Sequence, residues 1–394
     1  MSDIVYFDHA ATTPVRSEAL EAMLPWFSEK FGSASTLYSI GREAQEAVAE
    51  ARTSVANLIG ASPNEIYFTS GGTESDNWAT IGTALANENR GNHLITSKIE
   101  HHAILESLHF LETRGFEVTY LPVDSDGLVD PEEVRRAITD RTTLITIMHA
   151  NNETGTIQPV EEIGAMARER RIHFHTDTVQ TVGHIPVDVD AIGCDSLAIS
   201  AHKLYGPKGI GVMYLRKGSR VRRFMHGGGQ EANRRAGTHN VAGIVGLGVA
   251  AKLAGQELEG ERARLIQMRD TIIDGLTARI NDVRLNGHRR KRLPNNVNMS
   301  FAGIEGESMI LLLDMQGFSV SSGSACTSGS LDPSHVLLAL GLKHEDAHGS
   351  LRITLGRSNT PEHVERLLDT LPPIVEQLRK MSPIYGQQST EMTV

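Results

Sequence analysis

The feature that most constrains the fold is a regular alternation of helix-like and strand-like segments between about residue 43 and residue 217. In the first helical segment, small and apolar residues recur at three-to-four spacing from Ala44 to Ile59, and Gly60 follows as a stop signal. Short β-rich runs then alternate with further helical patterns, and runs such as LITIM are apolar on both faces. This order predicts an α/β fold whose mostly parallel sheet is covered by helices.

The same pattern gives approximate bounds for the sheet and for a second unit. The predicted strands are at residues 65–70, 93–99, 117–123, 142–150, 172–177, 197–200 and 209–217. After a long helical stretch from about 241 to 281, the chain continues as a smaller α/β unit with predicted helices at about 306–315, 334–341 and 361–380. We therefore expect a large and a small domain with a boundary near residue 255.

Composition and charge argue against several classes of protein. Hydrophobic residues make up 40% and charged residues 22% of the chain, and no apolar run approaches the roughly 20 residues needed to span a bilayer. The net charge of −10 argues against direct nucleic-acid binding, and we interpret the basic runs at 216–224 and 288–292 as solvated loops. Two cysteines do not suggest a disulfide framework or a zinc site, and no signal peptide is visible, so a reducing cytoplasm is the expected location.

The segment SGGTESD, at residues 70–76, lies between a predicted strand and a predicted helix. Its two glycines let the backbone approach a ligand closely, and N–H groups at a helix start favour an anion. Thr73 is expected to cap the helix, with Asp76 three residues further on. Glycines at such turns also occur for steric reasons alone, so the motif leaves a phosphate site and a plain structural turn both open.

Two further residues are placed where ligands bind in open α/β sheets, at the carboxyl ends of strands. Asp177 ends an apolar strand, where it can meet a ligand cation or simply cap a helix. Lys203 follows a strand in SAHKLYGPKGIG, where a buried lysine would form a Schiff base with an aldehyde and an ordinary loop lysine would be solvated. A strand-end carboxylate, a phosphate cradle and a lysine are together the three groups that pyridoxal phosphate requires.

Beyond these residues, ordered motifs along nearly the whole chain resemble those of the cysteine desulfurases, which are pyridoxal-phosphate enzymes of fold type I. The motifs are YFDHAATTP, TSGGTESDN, SKIEHHA, ANNETG, HTDTVQ, SAHKLYGPKG, GGGQE, RRAGT, SSGSACTSGS and LRITLGR. The resemblance implies a large cofactor-binding domain at residues 15–255 with a mostly parallel seven-stranded sheet. It also implies a small α/β domain, formed by residues 1–14 and 256–394, that carries the catalytic cysteine loop.

The resemblance also assigns roles to individual residues. Lys203 is implied to form the Schiff base and to move protons, Asp177 to hold the pyridine nitrogen protonated, and His101 to stack on the ring. His102 is a weaker candidate for the role of His101, and Gln180 is implied to bind the ring hydroxyl. The other implied contacts are Gly72, Thr73, Ser200 and His202 at the phosphate, Thr238 at the phosphate of the second subunit of a homodimer, Asn152 at the cofactor, and Asn152 with Arg352 at the substrate carboxylate.

The segment SSGSACTSGS, at residues 321–330, has the composition of a flexible linker, but the resemblance makes its Cys326 the nucleophile. The Cys326 thiolate would attack the sulfur of L-cysteine, leaving L-alanine and a persulfide. That sulfur would pass to an acceptor such as an iron–sulfur scaffold protein, or into tRNA or DNA thiolation. Small flanking residues would let one loop reach both the cofactor and the acceptor. Cys194, in an apolar run, is expected to be a core residue.

Alternative functions stay open on the sequence. An aminotransferase or a selenocysteine lyase of the same fold would use the same cofactor residues, although transamination would not need Cys326. A non-enzymatic sulfur carrier is disfavoured because Lys203 is present. The chain departs from the family pattern at Ser33 and Tyr38, where the family usually has Asn and His, and this bears on the substrate contacts of that segment.

Overall fold

The computed structural model describes residues 4–322, 333–382 and 385, and it has the predicted α/β architecture. Its strands are β1 (Val5–Tyr6), β2 (Ile66–Thr69), β3 (His93–Ser97), β4 (Glu117–Leu121), β5 (Thr142–Thr146), β6 (His173–Asp177), β7 (Ser196–Ser200), β8 (Gly211–Leu215), β9 (Val283–Leu285), β10 (Asn296–Phe301), β11 (Phe318–Ser319) and β12 (Ser350–Thr354). Its helices are α1 (Ser17–Met23), α2 (Pro25–Ser28), α3 (Ser39–Leu58), α4 (Gly72–Asn87), α5 (His102–Glu112), α6 (Pro131–Ala137), α7 (Val160–Arg170), α8 (Val189–Ile192), α9 (Gln230–Asn233), α10 (Val241–Arg279), α11 (Gly306–Met315), α12 (His335–Ala339), α13 (His344–His348) and α14 (Pro361–Met381).

The main sheet has seven strands in the order β2-β8-β7-β6-β5-β3-β4. Strands β7, β6, β5, β3 and β4 are parallel to their neighbours in this order, whereas β8 runs antiparallel to both β7 and β2. Strand β2 therefore runs in the same direction as β7. Strands β3, β5, β7 and β8 are buried along their whole length, as expected when both faces of a sheet are covered. The predicted mostly parallel seven-stranded sheet is confirmed.

Helices cover both faces of this sheet. Side chains alternate between the two faces along a strand, so Leu144 and Ile145 of β5 point to opposite sides. Leu144 packs with residues of α4 and α5 in one apolar cluster, and Ile145 packs with residues of α3, α7 and the first part of α10 in the largest cluster. The sheet is thus the middle layer of a three-layer sandwich.

A second unit is built from the antiparallel strands β12-β10-β9 and the parallel pair β1-β11. Its core joins β1 with α11, α14 and the last part of α10. In α10, the buried residues up to Ala251 belong to the first core and those from Leu265 onward to the second. The change from one core to the other lies inside the continuous helix α10, between Ala251 and Leu265. We therefore propose a large domain at residues 15–255 and a small domain formed by residues 1–14 and 256–394.

The expectation about membrane spans is corrected at α10. This helix is long and apolar enough to cross a membrane by length and composition alone, and it is the one such helix among the residues that the structure describes. It packs against α1 and α3 in its first part and against α14 further along. Those contacts are what a long core helix makes, and they account for its apolar composition.

Helix α7 packs closely on the chain at Ile192, and Gly164 makes this approach possible. A Cβ atom on Gly164 would lie 1.9 Å from the carbonyl oxygen of Ile192. We expect Gly164→Ala to lower the free energy of unfolding by about 1–3 kcal/mol, the usual cost of overpacking, as measured by urea unfolding.

The matched control for that change is Gly260→Ala in the exposed middle of α10. A Cβ atom on Gly260 would have no atom within 4 Å. Alanine there should raise the free energy of unfolding by about 0.5–1 kcal/mol, because glycine loses more conformational entropy in a helix. Equal effects of the two substitutions would contradict the packing argument.

Candidate active site

The carboxyl ends of the strands bring the predicted cofactor residues to one edge of the main sheet. Strand β6 ends at Asp177, and β7 ends at Ser200 and continues into a short 3-10 turn, Ala201–Lys203. Strand β2, which runs in the direction of β7, leads at the same edge into α4 at Gly72. This is the edge at which open α/β sheets bind ligands.

The side chain of Lys203 contacts the N-terminal segment of the chain. Its Nζ donates to the carbonyl oxygens of Ala10 and Ala11, at 2.5 and 2.6 Å. The side-chain amide of Gln180 donates to the same Ala10 carbonyl at 3.1 Å. The lysine and the glutamine that the sequence singled out are therefore neighbours, although 23 residues of the chain, counted from 180 to 203, separate them.

Asp177 is buried close to two basic side chains. Its Oδ1 accepts the Val179 N–H at 2.9 Å. The residues that follow Asp177 form turns, so this bond stabilises a turn and Asp177 is not a helix N-cap. Burial raises the pKa of Asp177, and nearby positive charge, from His101 when it is protonated and from Lys203, partly offsets this effect. A carboxyl group held in this way is placed to meet a cationic ring nitrogen.

His101 is the N-cap of α5. Its Nδ1 accepts the Ala103 N–H at 3.1 Å, so we assign the ring proton to Nε2. Burial lowers the pKa of His101, and the charges of His102 and Lys203 act in the same direction, so the ring is neutral at pH 7. The ring of His102 lies instead 4.9 Å from that of His335, measured between centroids. Geometry therefore favours His101 over His102 as the ring beside the cofactor.

The start of α4 differs from the prediction. Its N-cap is Gly71, which has no side chain, and Asp76 is turned into the protein, where its Oδ1 lies 3.2 Å from Nε2 of His175. The prediction that Thr73 caps this helix is therefore wrong. Within the described part of the chain, no side chain accepts from the first N–H groups of α4, which is the arrangement that binds anions. A Cβ atom on Gly72 would lie 2.7 Å from Cγ2 of Val179, so this close turn requires glycine.

Ser200 lies beside that helix start, and His202 follows it by two residues in the turn after β7. The Ser200 Oγ is 3.9 Å from the position that a Cβ atom on Gly71 would take. The His202 Nδ1 lies 3.0 Å from the Thr12 hydroxyl, and burial lowers the pKa of His202 to about 4, so its ring is neutral at pH 7. The Ser200 hydroxyl and the first N–H groups of α4 therefore lie close together, and this set fits the phosphate of pyridoxal phosphate.

Arg352 and Asn152, the predicted substrate-carboxylate residues, are also neighbours. Arg352 Nη1 donates to the Asn152 carbonyl oxygen at 3.1 Å, and its Nη2 donates to Asp8 Oδ1 at 2.9 Å. Backbone bonds of 2.7 and 3.2 Å join Arg352 to Ser321. Cys326 lies outside the described residues, and Ser321 is the described residue of the SSGSACTSGS segment that bonds to Arg352. Asp8 is a contact that sequence reasoning missed, although it lies in the motif YFDHAATTP.

Two further carboxyl groups are buried near Asp177, of which Glu100 was missed and Asp76 was assigned only to the helix cap. Glu100 accepts from the Ser97 hydroxyl at 2.5 Å, and burial raises its pKa to about 8. Burial raises the pKa of Asp76 as well, and the negative charges of Asp177 and Glu100 add to this effect. Both residues stand in motifs quoted above, TSGGTESDN and SKIEHHA. With its pKa raised to about 8, Glu100 is mainly protonated at pH 7, and Asp177, beside Lys203 and His101, is the carboxyl group placed to meet the protonated pyridine nitrogen of pyridoxal phosphate.

Thr238 is exposed on a loop that Glu231 anchors. Arg52 donates to both carboxylate oxygens of Glu231 at 2.8 Å, the Phe68 N–H donates at 2.8 Å, and the His239 Nε2 lies at 2.7 Å. These contacts lower the pKa of Glu231 to about 2 despite its burial. No local sequence pattern indicated this anchor, because Arg52 is 179 positions away from it.

The remaining residues from the sequence lie outside the cluster. Tyr38 is 56% exposed and Ser33 is half-buried, both in the segment that leads into α3. Cys194 is fully buried, and burial raises the pKa of its thiol to about 12. The prediction that Cys194 is a core residue is confirmed.

A Schiff-base lysine opposite a buried carboxylate, with a phosphate cradle at the same sheet edge, is the arrangement used by pyridoxal-phosphate enzymes of fold type I. The sequence matches the aminotransferase class-V family over residues 5–367. The chain belongs to this family, whose cofactor is pyridoxal 5'-phosphate.

Its relatives specify the branch. The chain is 56% identical to cysteine desulfurase IscS of Dictyoglomus turgidum over 384 residues, which cover 98% of this chain and 97% of the relative. A solved NifS-like protein is 39% identical with a TM-score of 0.89, covering 95% of this chain and 100% of that one. A structure of SspA in complex with cysteine is 40% identical with a TM-score of 0.80, covering 89% and 98% of the two chains.

The loop of Glu231 contains strain that one substitution should relieve. Glu231, Ala232 and Asn233 all have left-handed backbone conformations, with φ of 45°, 53° and 64°. Left-handed geometry costs an L-residue about 1–2 kcal/mol, and glycine does not have this cost. We expect Ala232→Gly to raise the free energy of unfolding by about 0.5–1 kcal/mol in urea unfolding.

The control is Ala263→Gly, at an exposed position within α10. There glycine should lower the free energy of unfolding by about 0.5–1 kcal/mol, because glycine loses more backbone conformational entropy than alanine does in a helix. A loss of stability in Ala232→Gly as well would show that the left-handed turn is not strained.

Proposed function

We propose that the protein is a pyridoxal-phosphate-dependent cysteine desulfurase that moves the sulfur of L-cysteine onto Cys326 and then to an acceptor. The observation that carries this proposal is the convergence of Lys203, Asp177 and His101 at one sheet edge with the uncapped start of α4. The relative solved in complex with cysteine supports the choice of substrate.

Each residue of the cluster has a task in this reaction. When bound, pyridoxal phosphate supplies an electron sink that stabilises negative charge on the substrate Cα. Asp177 would keep the ring nitrogen protonated, and Lys203 would anchor the cofactor and then move the Cα proton. The neutral His101 ring would lie against the cofactor, and Gln180 would donate to the ring hydroxyl in place of the Ala10 carbonyl.

Further residues would bind the phosphate of the cofactor and the carboxylate of the substrate. Gly72, Thr73, Ser200 and His202 bind the phosphate. Arg352 and Asn152 hold the substrate carboxylate, and the guanidinium Nε of Arg352 is buried without a hydrogen-bond partner among the described residues. An arginine with a spare buried donor is suited to a carboxylate ligand.

Sulfur transfer is the task of Cys326. Its thiolate attacks the substrate sulfur, the S–S bond forms, and the C–S bond breaks with its electron pair moving to carbon. A proton then completes L-alanine, and Cys326 holds the persulfide. An acceptor protein such as an iron–sulfur scaffold takes the terminal sulfur. A reducing cytoplasm is the compartment that we propose, because the thiol must be regenerated.

A homodimer is part of this proposal. The segment from α1 to the start of α3 exposes large apolar side chains, among them Leu24 at 55%, Phe27 at 64%, Phe31 at 72% and Leu37 at 90%. Exposed apolar groups in one short segment support burial against a second copy. Thr238, exposed on its anchored loop, would then bind the phosphate in the other subunit.

The assignment of Cys326 is tested against Cys194. We expect Cys326→Ala to abolish persulfide formation and to lower alanine release at least 100-fold, with the visible absorbance of the bound cofactor unchanged. Cys194→Ala should retain persulfide formation, because its buried thiol stays protonated. If Cys326→Ala formed persulfide at the normal rate, the assignment of Cys326 as the nucleophile would be wrong.

The proposal that Thr238 binds the phosphate in the other subunit is tested by mixing two inactive or weakened variants. Lys203→Ala lacks the Schiff-base lysine, and Thr238→Ala lacks the phosphate hydroxyl. After subunit exchange in equal amounts, about a quarter of all sites should hold both groups if Thr238 serves the other subunit. Activity and cofactor retention should then exceed the sum of the separate proteins. No gain in a proven mixed dimer would mean that Thr238 serves its own subunit.

A further inference from the structure

A second polar cavity lies at the opposite edge of the main sheet from the active site. It has a volume of about 310 Å³ and is bordered by the first residues of the parallel strands, Thr143 in β5 and His173 in β6, and by Asp195 just before β7. Four steps of about 3.3 Å along β6, from His173 to Asp177, separate this edge from the active site by roughly 13 Å. We call it the amino-edge pocket.

Four arginines border the amino-edge pocket, namely Arg90, Arg168, Arg171 and Arg220. They come from four separate places: the turn after α4, the last turn of α7, the residue after α7, and the loop after β8. Among the described residues, none of the four forms an ion pair with a carboxylate. Asp195 is the one acidic residue in the lining. In a chain of net charge −10, this is a local surplus of positive charge.

Polar side chains that can form hydrogen bonds also line the amino-edge pocket. Thr143 is 5% exposed, and its hydroxyl has no hydrogen-bond partner among the described residues. His173 Nε2 lies 2.8 Å from the Ser196 hydroxyl, and burial lowers the pKa of His173 to about 3, so its ring is neutral. A buried hydroxyl without a partner is costly, and a ligand in the pocket would remove that cost.

Helix ends alone do not account for the cluster. A cation near a helix C-terminus offsets the helix dipole, which explains Arg90, Arg168 and Arg171 one by one. It does not explain why Arg220, from a loop, converges on the same cavity. It also leaves the Thr143 hydroxyl without a partner.

We propose that the amino-edge pocket binds a small polyvalent phosphate anion, with the four guanidinium groups as its ligands and Thr143 as an additional donor. Arginine forks match phosphate oxygens in pairs, and a pocket near the lower end of the usual 300–1,000 Å³ range suits a small ligand. This site is separate from the cofactor phosphate cradle, and it stands or falls independently of the proposed function.

The test is calorimetric titration of the cofactor-loaded protein with inorganic pyrophosphate at low chloride. Saturation of the cofactor site keeps its phosphate cradle occupied. We expect one binding event per chain, weakened as salt rises. Parallel titrations with inorganic phosphate and with adenosine monophosphate show whether the charge of pyrophosphate or an attached nucleoside gives the tighter complex, and either order supports a phosphate site.

Two variants of equal charge change decide where the anion binds. Arg168→Gln with Arg171→Gln should lower pyrophosphate affinity at least tenfold per arginine removed. Arg290→Gln with Lys291→Gln removes two exposed cations from the small domain and should leave the affinity unchanged. Both proteins should keep the cofactor absorbance.

Three results would overturn the proposal. One is no detectable binding to the unmodified protein. Another is equal weakening in the two double variants, which would mean general attraction to positive charge. The last is a pyrophosphate affinity no higher than that for chloride, which would mean an adventitious ion only. Should the Arg168/Arg171 variant fold poorly, Thr143→Val, of nearly the same shape, should still weaken binding by several-fold.

Discussion

The buried carboxyl group of Asp177 is the constraint on which the active site depends. A carboxylate in apolar surroundings is costly unless positive charge lies near it. Lys203 is the positive charge that the chain supplies near Asp177, and burial raises the pKa values of Asp76 and Glu100, which keeps these two groups mainly in the neutral form. A cationic ring nitrogen would be a second positive partner for Asp177. Cofactor binding and the stability of this part of the sheet are therefore linked.

The N-terminal segment connects the two units of the fold at the site. The carbonyl oxygens of Ala10 and Ala11 accept from Lys203 in the large unit, while Asp8 pairs with Arg352 in the small one. A change in the angle between the units would thus change both the lysine and the substrate-carboxylate arginine. The first residues of the chain belong to the active site because they lie at this junction.

Sequence patterns predicted the elements better than their ends. Strand β5 was expected to reach residue 150 and ends at Thr146, although the N–H groups of Ile147 and His149 still bond to carbonyl oxygens of His175 and Asp177. The short strand β9 and helix α13 were not predicted. Periodicity cannot locate such pieces, because tertiary contacts rather than local preference form them.

In the active site, too, residues in local sequence patterns were predicted, whereas contacts between residues far apart in the sequence were not. Asp177, Lys203 and the glycines before α4 are readable because strand ends and turns are local patterns. The cap at Thr73 was mispredicted because Asp76 pairs with His175, 99 positions away. Asp8 and Glu231 were missed for the same reason, since their arginine partners are 344 and 179 positions distant. Cys326 lies outside the described residues, so its role still rests on resemblance.

Helix α4 physically joins the two edges of the sheet. Its uncapped N-terminus faces the cofactor cradle, and its C-terminal end, at Asn87, borders the amino-edge pocket. The helix dipole favours an anion at the first place and disfavours one at the second. A phosphate at the amino edge must therefore overcome the negative ends of α4 and α7. The four arginines that border this cavity are solvent-exposed and supply the opposing charge, so binding that depends on them should weaken as ionic strength rises.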